Sequence, residues 1–279
     1  MATKDDERSE FLDALRKGIL LGAAILVLVL PPMWLAKRQP ERAPPPAAVV
    51  QTPAAPALPA EPPRNDAAPH LADFGGEQPA ADVRLVANWA AHTRDHKKHA
   101  FVIVDKKQAR LYVFGPDAKL KSSTPILLGK AIGDHTVPGI GDKPLSQVKE
   151  DEKTTPAGRF IAEPGRNTKG EDIIWVDYDA AVSMHRLRLV SKEERRAQRL
   201  ASATVKDNRI SFGCINVPVA FYEGVLSPTV HKEGAVVYVM PETQTPQQLF
   251  GAWDVQQGAR AQLAKAPATP VPAVPAPKS

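Results

Sequence analysis

The sequence predicts a mainly β domain with short helices, held behind an N-terminal transmembrane helix and a Pro/Ala-rich linker. Three observations point there. Residues 18–36 form a run of 19 residues without a charge. Residues 39–81 hold 11 of the 28 prolines. Seven short runs rich in β-branched and aromatic residues follow, mostly bounded by Gly, Pro or Asp, the pattern of strands.

The 279 residues would allow one large domain or two small ones. The proline-rich stretches and the apolar segment cannot build a globular core, which leaves roughly 150 to 170 residues, enough for one well-buried domain. A formal charge of +5 from 36 Lys+Arg and 31 Asp+Glu is mild, and no concentrated basic arm accompanies it, so nucleic acid is not an expected partner. The single cysteine, Cys214, excludes an intramolecular disulfide, a cysteine-rich zinc cluster and a CxxC redox pair.

The element reading starts at the N-terminus. GILLGAAILVLVL and the following PPMWLA, at about 1.5 Å per residue, just span a bilayer core. Residues 1–17 are expected in the cytoplasm and 18–36 in the membrane, with residues 37–81 as a semi-rigid spacer. Pro31, Pro32, Met33 and Trp34 separate the apolar run from any small-residue cleavage site, which favours an uncleaved anchor over a signal peptide. The expected location is the inner membrane, crossed once, with the folded domain in the periplasm or cell envelope.

Residues 82–98 place Val83, Val86, Ala87, Trp89 and Ala90 at helical spacing, with Asp82 as N-cap. Residues 99–243 are the expected main folded domain. FVIVD (101–105) and ARLYVF (109–114) read as a hairpin. Residues 124–128, 159–162, 173–177, 181–185 and 235–240 supply the other strands. The stretch 129–155 has no strand-like run but has Gly129, Gly133, Gly139 and Gly141, and a long ordered loop usually has a function. Residues 191–203 open with a Ser-x-x-Glu capping box, and 219–226 follow Pro218; both read as helices. Residues 244–279 are expected to hold a peripheral helix over 245–264 and a disordered Pro/Ala tail.

The chemistry centres on RISFGCINVP. A β-like run ends at Gly213, and a helix begins at about Pro218, so Cys214 is expected to feel the positive end of a helix dipole, which favours thiolate. Gly213 would let the backbone approach a substrate, and consecutive N–H groups at such a turn can form an oxyanion hole. Ser211 and Asn216 flank the cysteine and would brace the turn. The bland alternative is a small buried hydrophobe, so the reading needs a base. Seven histidines are available. His92, His96 and His99 sit in a lysine-rich context without a zincin glutamate, and no metal is expected. His185 ends a strand-like run, where a rigid scaffold delivers a side chain.

These residues resemble the L,D-transpeptidase (YkuD-type) catalytic domain. The hairpin FVIVDKKQARLYVF is similar to that family's opening strands, TTPAGRF to its TPxGxF segment, and the order His185 then Ser-x-Gly-Cys-Ile-Asn to its signature. The likeness covers about residues 101–241. Three features depart from the pattern: Phe212 stands where histidine is common, Arg186 stands where glycine usually follows the catalytic histidine, and the 25 residues 186–210 make a long spacer. That spacer carries eight Lys/Arg against three Asp/Glu. It is expected to act as a lid or a basic rim toward stem-peptide carboxylates, with Arg186, Arg209 and Phe212 as substrate-binding candidates.

The resemblance implies an L,D-transpeptidase-like β-sandwich and a cofactor-free acyl transfer on peptidoglycan stem peptides. Cys214 would be the nucleophile and His185 the proton relay. The acceptor would be a stem amine, a protein lysine, or water, the last making an L,D-carboxypeptidase. Sortase is a poorer match because SFGC replaces its TLxTC. A non-catalytic wall-binding module on the same fold is the alternative from another class.

Overall fold

The computed structural model describes residues 69–257. The predicted cytoplasmic segment, the anchor, most of the linker and most of the C-terminal tail lie outside the described residues. Among the described residues no helix is long and apolar enough to cross a membrane.

The first helix, α1 (Ala81–Thr93), is followed by the hairpin β1 (Ala100–Asp105) and β2 (Arg110–Phe114), then β3 (Leu120–Pro125) and the two-residue β4 (Leu128–Gly129). After the long loop come β5 (Gly158–Arg166), β6 (Asp172–Asp177) and β7 (Val182–Arg186). A short helix, α2 (Arg196–Ala201), precedes β8 (Arg209–Ser211) and β9 (Ile215–Val217). The helical stretch α3 (Val219–Phe221), a π turn (Tyr222–Leu226) and α4 (Ser227–Glu233) lead to β10 (Ala235–Val239), and α5 (Pro246–Phe250) comes last.

The protein is mainly β, and eight strands form one mixed sheet in the order β3-β2-β1-β10-β5-β6-β7-β9, with β4-β8 as a separate pair. The expected sandwich takes the form of two arms of one continuous sheet. The joint is β5, whose first half pairs with β10 and whose second half pairs with β6. Both arms feed one core: Val102, Val104, Leu111, Val113 and Val237 share it with Ile174, Met184, Ile215 and Val217. The period-two alternation of strands sends the intervening residues to the other face. There Phe101, Ile103, Tyr112, Phe114 and Tyr238 pack with Val83, Val86, Ala87 and Ala90 of α1. Being covered on both faces is why β1 reads as an unbroken apolar run.

Several boundaries differ from the sequence reading, each for a local reason. The linker ends earlier than residue 81, because Leu71, Ala72 and Phe74 pack on the outer core and Asp73 bridges to Lys119. Helix α1 stops at Thr93 and does not reach residue 98. Arg94 turns left-handed at φ 54°, which brings Asp95 to the Arg159 Nε at 2.6 Å and to the Tyr238 hydroxyl. Ala80 occupies the N-cap, and Asp82 lies in the first turn. The capping box at Ser191 closes one turn, with the Glu194 N–H on Ser191 Oγ at 3.3 Å, but Arg195 is left-handed and the helix spans only Arg196–Ala201. The helix after Pro218 runs on past residue 226 to Glu233, and α5 ends at left-handed Gly251 after five residues.

A buried ion cluster ties the sheet to the long loop. Lys106, next after β1, is fully buried and its Nζ donates to Gly133 O at 2.6 Å, Thr155 O at 2.9 Å and Asp134 Oδ1 at 3.1 Å. Glu242 stands 3.5 Å from the same nitrogen and also pairs with Arg209. Burial pushes the Lys106 ammonium down, against the pull of Glu242 and Asp134. Burial opposes ionisation of Asp134 as well, but hydrogen bonds from the Thr243 hydroxyl, the Glu242 and Thr243 amides and Lys106 outweigh it and hold its carboxyl below the usual range.

Candidate active site

Cys214 sits in the turn between β8 and β9, not ahead of a helix. The β-branched run resumes at once in Ile215 and Val217, and the helix starts only at Val219. The helix-dipole argument therefore does not apply to the thiol. The turn itself is strongly braced. Ser211 Oγ donates to Cys214 O at 2.6 Å and accepts from the Gly213 N–H at 3.1 Å. Thr155 Oγ1, which accepts from the Gly129 N–H, donates to Gly213 O at 2.8 Å. Asn216 is fully buried, and its Nδ2 reaches Cys214 O at 3.5 Å.

Gly213 has φ +133°, and a Cβ there would stand 2.8 Å from Thr154 O. Both the dihedral and the contact require glycine. Gly213→Ala is expected to cost about 1–3 kcal/mol and, by displacing the neighbouring cysteine, to slow acylation of Cys214 by about 100-fold. Thermal unfolding beside single-turnover mass spectrometry checks both effects.

The parallel neighbour β7 carries His185, the candidate base. Its register pairs Met184 with Ile215 and His185 with Asn216, so the cysteine lies off the end of β9 beside residues earlier in β7. Cys214 Sγ is 3.7 Å from Ser183 Oγ and 3.5 Å from Ala181 O. Residues two apart on a strand share a face, so His185 lies on the same face as Ser183, the side toward which the thiol turns. His185 is 6% exposed, and its Nδ1 lies 2.7 Å from the Arg186 carbonyl. A carbonyl only accepts, so Nδ1 carries the hydrogen and Nε2 keeps a lone pair. Nε2 has no protein partner among the described residues.

Burial pushes the His185 imidazole down to about 4, the Arg186 carbonyl opposes this, and the cations Arg188 and Arg196 add to it. At neutral pH the ring is uncharged and able to take a proton.

Ser183 and Thr155 were not singled out from sequence. For Ser183 the available signal was its place two residues before His185. Of the oxyanion candidates, the Gly213 N–H is committed to Ser211 Oγ, while the Cys214 N–H has no acceptor among the described residues. The substrate-binding candidates fall apart spatially. Phe212 is 39% exposed two residues before Cys214, with Lys153 Nζ over its ring at 4.1 Å. Arg186 is held by Asp172 and Glu223, both at 2.8 Å. Arg209 is not open to a substrate: its side chain is only 8% exposed, donates to Lys106 O at 2.8 Å and pairs with Glu242.

The insert is not a free basic rim either. Arg188 pairs with Glu171 at 2.6 Å, Arg199 binds the Glu194 and Asp207 carbonyls, and the Asn208 side chain donates to Ile126 O at 2.9 Å. Arg196 is buried and bonds Asn216. These contacts fasten the segment to the domain and work against a mobile lid.

No family model matches the chain, and no curated protein matches it. Solved structures that it resembles include the catalytic domain of an Enterococcus faecium L,D-transpeptidase, at 20% identity and TM-score 0.32 over 52% of this chain and 99% of that one. A crystal structure of the Enterococcus faecium L,D-transpeptidase aligns at 17% identity and TM-score 0.31 over 51% of this chain and 50% of that one. The helical cell shape determining protein Pgp2 from Campylobacter jejuni aligns at 15% and TM-score 0.36 over 58% of this chain and 53% of that one. The match thus spans about half the length of the last two.

Proposed function

We propose that this chain is a cysteine L,D-transpeptidase acting on peptidoglycan stem peptides. The observation that carries the reading is the placement of Cys214, in a turn fixed by Ser211, Gly213 and Asn216, two residues before the position that lies in register with a buried neutral His185 on the adjacent parallel strand. Such a set suits acyl transfer, and the signature around it directs that chemistry to stem peptides.

In the first half-reaction His185 Nε2 takes the Cys214 proton. Sγ bonds to the carbonyl carbon of the third stem residue, the negative oxygen is received at the Cys214 N–H, and the C–N bond to the terminal D-alanine breaks as His185 returns the proton to its amine. In the second, an acceptor amine attacks the thioester, gives its proton to His185 and releases the thiolate, which recovers the proton. With water as acceptor the product is a shortened stem. No step calls on a cofactor. The exposed Phe212 ring, weighted by Lys153, is the apolar contact available to the donor stem next to the nucleophile.

The reading includes an inner-membrane anchor at residues 18–36 with the domain on the envelope side. Protease added to intact spheroplasts is expected to digest the domain, and its protection would contradict this placement. The test of the activity is release of D-alanine from a disaccharide-tetrapeptide by wild type and not by Cys214→Ala. Peptidoglycan binding without any release would favour a wall-binding module instead.

A further inference from the structure

The residue that orients Asn216 comes from the insert and not from the RISFGCINVP segment around the cysteine. Arg196, at the start of α2, is 7% exposed. Its Nη1 donates to Asn216 Oδ1 at 3.0 Å, and its Nε is held by Glu194 Oε2 at 2.5 Å. A guanidinium only donates, so this bond decides which end of the Asn216 amide is the oxygen. The Nδ2 end must then face Cys214 O, where it lies at 3.5 Å beside the Ser211 hydroxyl that donates to the same oxygen. The Asn216 backbone is meanwhile locked to Leu127 by two hydrogen bonds, at 2.9 and 3.0 Å, so its side chain is the only part left to be set.

We propose that Arg196 is a positioning residue: by holding the Asn216 amide it fixes the Cys214 carbonyl and the nucleophile's turn, which makes the 187–208 insert a working part of the active centre. This rests on the transpeptidase reading for its catalytic consequence, but not for its geometry. Arg196 itself touches neither Sγ nor the substrate. Its charge also weighs on His185, but its grip on the turn passes through one buried amide, which a shorter or uncharged side chain cannot hold, and a buried charge-assisted bond of this kind is among the stronger ones available.

The test uses the full chain with Arg196→Met, Arg196→Lys and Asn216→Ala, and two readouts. Hydrogen exchange needs no substrate: Arg196→Met is expected to speed exchange of the peptide covering residues 213–217 by about ten-fold, with β1 unchanged and Arg196→Lys between the two. Single-turnover acylation by a disaccharide-tetrapeptide is expected to fall by about ten-fold with KM within about two-fold, and Arg196→Met should add little on an Asn216→Ala background. Unchanged exchange at 213–217, an equal rise throughout β1, or full additivity of the two substitutions would each overturn the proposal. If wild type shows no acylation while the local exchange effect is present, the transpeptidase reading fails and the Arg196 coupling stands.

Discussion

His185→Ala is expected to slow acylation of Cys214 by about 10²–10⁴-fold while leaving the thiol present and the fold intact. The size follows from the geometry. With β9 between the cysteine and the helix, no dipole substitutes for a base, and with Nδ1 on the Arg186 carbonyl the free lone pair of His185 is on Nε2. The pH dependence carries a second signature. Protonation of His185 removes the lone pair, so the acid limb of kcat/KM should fall as pH drops through about 4, well below the limb near 6.5 of an ordinary histidine. The same depression links to stability: the folded value lies below the unfolded one, so the contribution is complete above about pH 6.5 and is lost, to about 3 kcal/mol, as pH falls toward 4. Initial rates from pH 3.5 to 8, beside urea unfolding at the same values, check both. An acid limb at 6.5 would mean that a different group accepts the proton.

Lys106→Met is expected to destabilise the domain by about 3–5 kcal/mol, because it takes the buried counter-charge from Asp134 and leaves Glu242 with Arg209 alone. Lys106 Nζ joins Gly133, Asp134 and Thr155, and Thr155 in turn holds Gly213 O. The damage should therefore reach the nucleophile's turn, and acylation should fall by more than global unfolding explains. Lys106→Arg should recover only part of the stability, since a planar fork does not reproduce three bonds that converge on one ammonium. Urea unfolding of the three proteins measures this. A midpoint for Lys106→Met within error of wild type would show the cluster to be neutral to folding.

Much of the fold was legible because its signals are local. β1, β2, β6 and β10 are short runs of β-branched and aromatic residues with an end marked by Asp, Gly or Pro, and the hairpin loop at residues 106–108 is a short polar break. Lys106 shows where that reading stops. A lysine in a turn reads as solvent-facing, and its burial depends on Asp134 and Glu242, which lie 28 and 136 positions away in the chain. Arg209 and Arg196 escaped for the same reason: their partners Glu242 and Asn216 are fixed by tertiary packing, so the insert read as a basic rim while several of its arginines are internal struts.

At the site, Cys214, His185, Ser211, Gly213 and Asn216 were legible as types and spacing. The surroundings of the cysteine were misread, because INVP was taken as the approach to a helix when Ile215 and Val217 form a strand parallel to β7. That strand does more than the supposed dipole, since it sets His185 and Asn216 in register. One sheet joined at β5 was likewise hidden, because a nine-residue strand that serves two partners looks in sequence like any other.

The measurement that tests the central claim most directly is intact-mass spectrometry of the protein mixed with a disaccharide-tetrapeptide, wild type beside Cys214→Ala and His185→Ala. The account predicts an adduct equal to the substrate minus D-alanine on wild type, none on Cys214→Ala, and slow formation on His185→Ala. An adduct that persists in Cys214→Ala, or the absence of adduct, free D-alanine and crosslinked product with wild type, would contradict it.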